Sequence, residues 1–163
     1  MAILPDHPQP LFDTIASLDD RLAPVPDYMG ADDYEISREF LLAYRHSPDT
    51  FHSYRREVDR FLNWVYLVAM RDLTGVDRQD IENYVRFCQR PPRSWVAKKM
   101  VAKFLERDGH LVPNSEWRPY VAKVSKANHK LGKNPSAKRY RLSDSGLQAM
   151  LRILSTFYTF LEM

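Results

Sequence analysis

The chain has 163 residues, 44% of them hydrophobic, and a formal net charge of +3, which is enough for one domain with a buried core. Its longest apolar run, "FLNWVYLVAM" over residues 61–70, is about half of the roughly 20 residues that a membrane span needs. The single cysteine, Cys88, excludes an internal disulfide, and the N-terminus lacks the pattern of a secretory signal. We therefore expect a cytoplasmic protein that does not enter a membrane.

The charge is divided unevenly along the chain. Residues 1–89 hold 9 Lys and Arg against 16 Asp and Glu, whereas residues 90–141 hold 14 against 3. Such an asymmetry favours a polyanionic partner, either nucleic acid or an anionic membrane surface. The alternative is a solvated loop that its lysines keep soluble.

The first 31 residues differ in composition from the rest. They are acidic and hold five of the eleven prolines, and "LFDTIASLDDRL" between these prolines could form one short helix. We predict an N-terminal arm over residues 1–31, followed by a helical domain over residues 32–163. The first core helix of this domain is predicted in "ADDYEISREFLLAYRHS", with Asp32 or Asp33 as its cap.

The second predicted helix is the best specified. Ser47 fits the N-cap and Pro48 the first helical position. Apolar side chains then recur with the helical period at positions 51, 54, 58, 61, 62, 65, 68 and 69. A third helix is predicted to start at Asp77 in "DRQDIENYVRFCQ" and to stop at the two prolines that follow.

Residues 93–141 form a basic insertion before the last helix. "SWVAKKMVAKFLERDGH" can form a helix that Asp108 and Gly109 end, and residues 121–125 could be either a strand or a helical turn. The last helix is predicted in "SDSGLQAMLRILSTFYTFLEM", capped by Ser143 or Ser145 and with Gly146 in its first turn. The predicted fold is an all-α, compact bundle of four to five helices.

Three stretches in this order resemble the N-terminal core-binding domain of the tyrosine recombinases, the phage integrase family. They are "SPDTFHSYRREVDRFLNWV", "LTGVDRQDIENYVRFC" and "SDSGLQAMLRILSTFYTFLEM", and the resemblance covers about residues 33–90 and 142–162. It implies a SAM-like helical bundle that forms one half of a clamp around duplex DNA. By this resemblance, the helices from Pro48 and from Asp144 lie toward the major groove.

The family's catalytic residues belong to a separate C-terminal domain, and nothing in this sequence matches it. The resemblance therefore implies that the chain alone is not an enzyme, needs no cofactor, and works in a nucleoid-associated setting in a bacterial or phage-type system. Its expected partners are duplex DNA, the catalytic domain of the same parent chain, and other recombinase protomers. The basic insertion of about 50 residues departs from the family, which joins these helices by a short turn.

The candidate site starts from arginines 55, 56 and 60, on the side of the second helix that the apolar stripe leaves free. Guanidinium groups can grip phosphate or read the edge of guanine, whereas lysines attract phosphate without reading sequence. The alternative is a salt-bridged surface, with pairs worth about 0.3 to 0.5 kcal/mol each. The predicted DNA-binding residues are Thr50, Arg55, Arg56, Arg60, Lys98, Lys99, Lys103, Lys138, Arg139, Arg141, Gln148 and Arg152.

Other residue types give no sign of a catalytic or metal site. The histidines lack paired helical spacing, and Cys88 has no CxxC partner. We predict that Tyr54 packs in the core and that Trp64, Trp95 and Trp117 are buried anchors rather than stacking platforms. Two other functions stay open: a stand-alone helical DNA-binding accessory protein, and a protein-interaction adaptor with a basic docking surface.

Overall fold

Five helices build the core of the protein, for which a computed structural model describes residues 5–122 and 140–163. In chain order they are α1 (Ile15–Asp19), α2 (Ala31–Leu42), α3 (Pro48–Trp64), α4 (Arg78–Gln89) and α5 (Asp144–Leu161). The prediction of a mostly helical chain is confirmed. No helix in the described residues is both long enough and apolar enough to cross a membrane.

Helix α3 is the central element and starts where the sequence predicts. Ser47 is its N-cap and Pro48 its first residue, although the Ser47 hydroxyl contacts Thr50 Oγ1 at 2.9 Å and makes no bond to the backbone of the first turn. The helix continues as one π-helical turn, Val65–Ala69, which ends at Met70 in the left-handed conformation. Its apolar stripe is buried at Phe51, Val58, Phe61, Leu62 and Val65. Tyr54 stacks on the buried ring of Phe40 with centroids 5.5 Å apart, as predicted.

The other predicted helices also follow from their caps. Helix α4 starts after Asp77, which forms a reciprocal capping box with Asp80. Helix α5 starts after Ser143, whose hydroxyl accepts a hydrogen bond from the amide of Gly146 at 3.1 Å. It packs against α2 and α3 through Met150, Leu154 and Phe157, among others. The predicted cap of α2 is wrong: Gly30 is the N-cap, and Asp33 instead accepts hydrogen bonds from Tyr66 and Leu73.

Residues 5–30 belong to the core, which corrects the prediction of an arm. Leu11 and Phe12 are fully buried. The Leu11 amide donates to Asp59 Oδ2 at 2.9 Å, and the Tyr34 hydroxyl donates to the Leu11 carbonyl at the same distance. The segment contains α1, which packs against α2, so its prolines lie between parts of the folded domain and do not mark a detached arm.

The segment from 93 to 121 corrects the all-α prediction. The helix predicted over residues 93–109 is wrong; a 3₁₀ turn, Arg93–Trp95, is followed there by short strands. Strand β2 (Phe104–Arg107) pairs antiparallel with β3 (His110–Pro113), and β1 (Val96–Ala97) pairs parallel with β4 (Tyr120–Val121). Asp108 and Gly109 have φ values of 52° and 78°, as a two-residue hairpin turn requires.

Candidate nucleic-acid interface

A groove of about 770 Å³ lies between α3, residues 97–103, residues 117–121 and the start of α5. We call it the basic groove. It brings together six of the predicted DNA-binding residues: Arg55, Arg56, Arg60, Lys99, Lys103 and Arg141. These residues come from three separate parts of the chain, so the fold gathers cations that are far apart in the sequence.

Asp59 belongs to the groove floor, the name we give to the largely buried charged side chains Glu57, Asp59, Arg60 and Lys103 that line the groove. Its carboxylate is almost fully buried and accepts hydrogen bonds from the amides of Leu11 and Phe12. The Lys103 ammonium lies 2.6 Å from the same oxygen, Oδ2. The other oxygen, Oδ1, accepts a hydrogen bond from the Asn63 amide at 3.1 Å. One carboxylate on α3 therefore holds both the N-terminal segment and the segment that leads into β2.

Arg60, one of the predicted DNA-binding residues, is also part of the floor. Its side chain is only 13% exposed and pairs with the buried carboxylate of Glu57 at 2.9 Å. Its Nε donates to the Pro119 carbonyl at 2.8 Å, and its guanidinium lies 4.3 Å from the centroid of the Tyr120 ring. Arg60 is thus committed to holding residues 119 and 120 against α3.

Two more predicted residues are also committed to contacts within the protein. The Lys103 side chain is 12% exposed and lies 5.4 Å from the centroid of the Trp117 ring. Burial lowers the pKa of Lys103, an effect that the neighbouring Asp59 opposes. Arg55 donates from Nη1 to the Asp13 carbonyl at 2.7 Å, and burial lowers the pKa of its guanidinium too.

The remaining predicted cations of the groove are exposed, and we call Arg56, Lys99 and Arg141 the basic rim. The Arg56 side chain is 56% exposed, and its ion pair with Glu57 is long, at 3.4 Å. Among the described residues, no carboxylate pairs with Lys99 or Arg141. The other residues, 1–4 and 123–139, contain no Asp or Glu. The positive charge of the rim is therefore available to an external anion.

The predicted site also includes residues that lie elsewhere. Thr50, Lys98, Gln148 and Arg152 do not line the basic groove, and the face of α5 that does so carries Gly146, Ala149, Met150 and Ile153 instead. Lys138 and Arg139 lie outside the described residues, as do four other lysines of the basic insertion, Lys123, Lys126, Lys130 and Lys133.

Sequence reasoning missed three residues of the groove. His52 and Arg118 line it, and Arg118 donates to the carbonyls of Ser115 and Trp117. Trp117 lines it as well and is half-buried, whereas Trp64 and Trp95 are buried as predicted. The position of Arg118 within the basic insertion was the available signal for that residue.

Among the described residues, seven Lys and Arg side chains line the groove against three carboxylates, those of Asp13, Glu57 and Asp59. No group of three potential metal ligands occurs in the described part of the chain. Comparisons with protein-family models, with curated proteins and with solved structures each give no match. The functional argument therefore depends on the charge and shape of this groove.

Proposed function

We propose that the protein binds duplex DNA through the basic groove, as the N-terminal clamp domain of a site-specific tyrosine recombinase. The observation that carries DNA binding is the basic rim: three exposed cations from separate segments stand over a floor whose charges are already paired. Duplex DNA carries a phosphate charge about every 1.7 Å along its axis. Exposed cations from three segments suit such a target, because each can reach a phosphate while the floor beneath them keeps its own charges paired.

The recombinase part of the proposal rests on the resemblance of the three helix motifs. Helices α3 and α5, which the resemblance places toward the major groove, both line the basic groove. The SAM-like nature of the bundle belongs to the same proposal. In this role the domain holds half of a recombination site, and a catalytic domain of the same parent chain supplies the cutting and rejoining chemistry.

Fluorescence anisotropy with a labelled random-sequence duplex, at about 50 and 200 mM salt, tests DNA binding. We expect the variant R56A/K99A/R141A to bind more weakly than the wild type. The slope of log K against log salt is negative, and each lost phosphate contact reduces its magnitude by about 0.9. The magnitude should therefore fall by about 2.7 in the triple variant. The matched control is R78A/R86A/R90A, which removes the same charge from exposed positions on and next to α4, outside the groove.

The two triple variants decide where the DNA lies. Equal losses in both would mean that net charge alone attracts DNA and would contradict a specific role for the groove. Absence of binding by the wild type at low salt would reject DNA binding and favour the adaptor function. A stable dimer without DNA in analytical ultracentrifugation would favour the stand-alone accessory protein over the clamp domain.

A further inference from the structure

The basic groove contains apolar and aromatic surface that a phosphate backbone does not require. Met100 lies at the groove and is 82% exposed. Trp117 and Tyr140 also line it and are half-buried. An exposed methionine and two accessible aromatic rings beside exposed cations combine two kinds of recognition, because the cations suit phosphates and the rings suit the flat faces of bases.

The size of the groove limits what can enter it. A volume of about 770 Å³ falls within the range of about 300 to 1,000 Å³ that is typical of small-molecule sites. A DNA duplex is much larger than this volume, since its major groove alone is about 12 Å wide. A duplex can therefore lie across the basic rim but cannot enter the basic groove. A single nucleotide, with its phosphate left at the mouth, is of suitable size.

The aromatic part of the groove is held in place by the floor. Lys103, which Asp59 fixes at 2.6 Å, lies against the Trp117 ring. The Tyr140 ring packs against Tyr120 in an edge-on arrangement with centroids 4.9 Å apart. The Tyr120 ring also contacts the Arg60 guanidinium. Both rings are therefore positioned by the protein before a ligand arrives, which reduces the entropy that binding costs.

From these observations we propose that the basic groove binds one unpaired nucleotide of DNA. The base packs against Trp117, Tyr140 and Met100, and its phosphate contacts the basic rim. This inference rests on the proposed function and extends it: the same surface that attracts duplex DNA prefers a strand whose base is free to leave the stack. Stacking of one base on aromatic side chains corresponds to about a 5- to 150-fold gain in affinity.

The test compares two probes of equal charge: an oligothymidylate of about eight nucleotides and an abasic oligodeoxynucleotide of the same length. We expect the oligothymidylate to bind about 5- to 150-fold more tightly. It should also quench tryptophan fluorescence, which the abasic strand should not do. Trp64 and Trp95 are only 2% and 5% exposed, so quenching reports on Trp117, and the variant W117F should abolish it.

A second variant, W117L, should weaken binding of the oligothymidylate while leaving the abasic strand unaffected. The matched control is L105A, which changes an exposed apolar side chain of strand β2, outside the groove. Circular dichroism confirms that each variant is folded. If W117L does not fold, the comparison of the two probes on the wild type still decides the question.

The outcomes separate this inference from the proposed function. Equal affinity for the two single strands would overturn the inference, because bases would then contribute nothing, and duplex binding through phosphates would stand. Binding of duplex DNA without binding of the oligothymidylate would overturn it too. If the wild type binds neither duplex nor single strand at about 50 mM salt, both the inference and DNA binding are rejected.

Discussion

Arg60 and Arg56 lie one turn apart on α3 and both contact Glu57, yet they belong to different regions of the molecule. Arg60 is in the groove floor, where it is 13% exposed and has a carboxylate, a carbonyl and an aromatic ring as partners. Arg56 is on the rim, where it is 56% exposed with one long ion pair. Both residues are arginines on the same helix, so the difference comes from what the rest of the chain brings to each side.

The comparison teaches that a basic groove can contain two functionally separate sets of charges. A charge that is removed from water needs a close partner, and breaking such a pair leaves an uncompensated charge inside the protein. A charge that stays in water contributes little to stability and remains free for a ligand. We therefore expect floor variants to change stability and rim variants to change binding.

Replacement of Asp59 by Ala should have the largest effect on stability. It leaves the Lys103 ammonium without its carboxylate and removes the acceptor of two buried amides. Breaking a buried pair in this way typically costs about 3 to 5 kcal/mol. Urea denaturation followed by circular dichroism measures the change. The exposed Glu39 of α2 provides the control, because the free energy of unfolding of E39A should stay within about 0.5 kcal/mol of the wild type. Similar losses of stability in D59A and E39A would show that Asp59 does not hold the floor together.

Replacement of Arg60 by Met should come next. The aliphatic stem is retained, but Glu57 loses its close partner and the Pro119 carbonyl loses its donor. We expect a loss of about 2 to 3 kcal/mol, as for a buried charged group left without its hydrogen bond. The same urea experiment applies, and a stability equal to that of the wild type would show that Arg60 is not required to hold residues 119 and 120.

The sequence predicts α3, α4 and α5 well because each carries its own instructions. An apolar stripe with helical period and a serine or aspartate cap are local properties, and the start of each of these helices is as predicted. The sequence does not predict the β-hairpin, because Asp108-Gly109 can either end a helix or form the turn of a hairpin. Both residues have positive φ values, as the hairpin turn requires. The sequence alone does not show these φ values, so the helix stop is the wrong choice of two that it allows.

The site could be predicted only in part, for a different reason. The sequence indicates which residues are cationic, and six of those predicted do gather in one groove. It does not show which of them are paired, because Lys103 and Asp59 lie 44 positions apart and meet only in the fold. The partners of Arg60 at residues 119 and 120 are equally remote. Division of the cations into floor and rim is therefore a tertiary property.

A neutral contact next to the floor should make the stability of the protein depend on pH. Cys88 Sγ lies 3.2 Å from the hydroxyl of Tyr120, whose ring contacts the Arg60 guanidinium. Burial raises the pKa of this thiol from 9.0 to about 11, while its hydrogen bond with Tyr120 opposes the rise. The raised pKa means that the folded protein keeps its proton where the unfolded chain loses it. Stability from this group is therefore complete below pH 9 and is lost as the pH rises from about 9 to 11.

Between pH 8 and 10 the thiol should account for a loss of about 1 kcal/mol. Urea denaturation at both pH values measures the loss, and C88A should lose correspondingly less. The difference between wild type and C88A cancels the titration of other groups, including Lys103, whose lowered pKa acts in the opposite direction. Equal losses in the two proteins would show that the thiol titrates normally in the fold.

Replacement of Arg56 by Met should have the smallest effect on stability and complete the comparison with R60M. An exposed ion pair contributes little, so R56M should stay within about 0.5 kcal/mol of the wild type in urea. The salt slope for duplex DNA should nevertheless fall by about 0.9, the value for one phosphate contact. R60M, tested where it is fully folded, should keep the wild-type slope, because the Arg60 guanidinium that it removes points at protein groups and not at DNA. If R60M lowers the slope as much as R56M, the floor and the rim act as a single binding surface, and burial does not separate their roles.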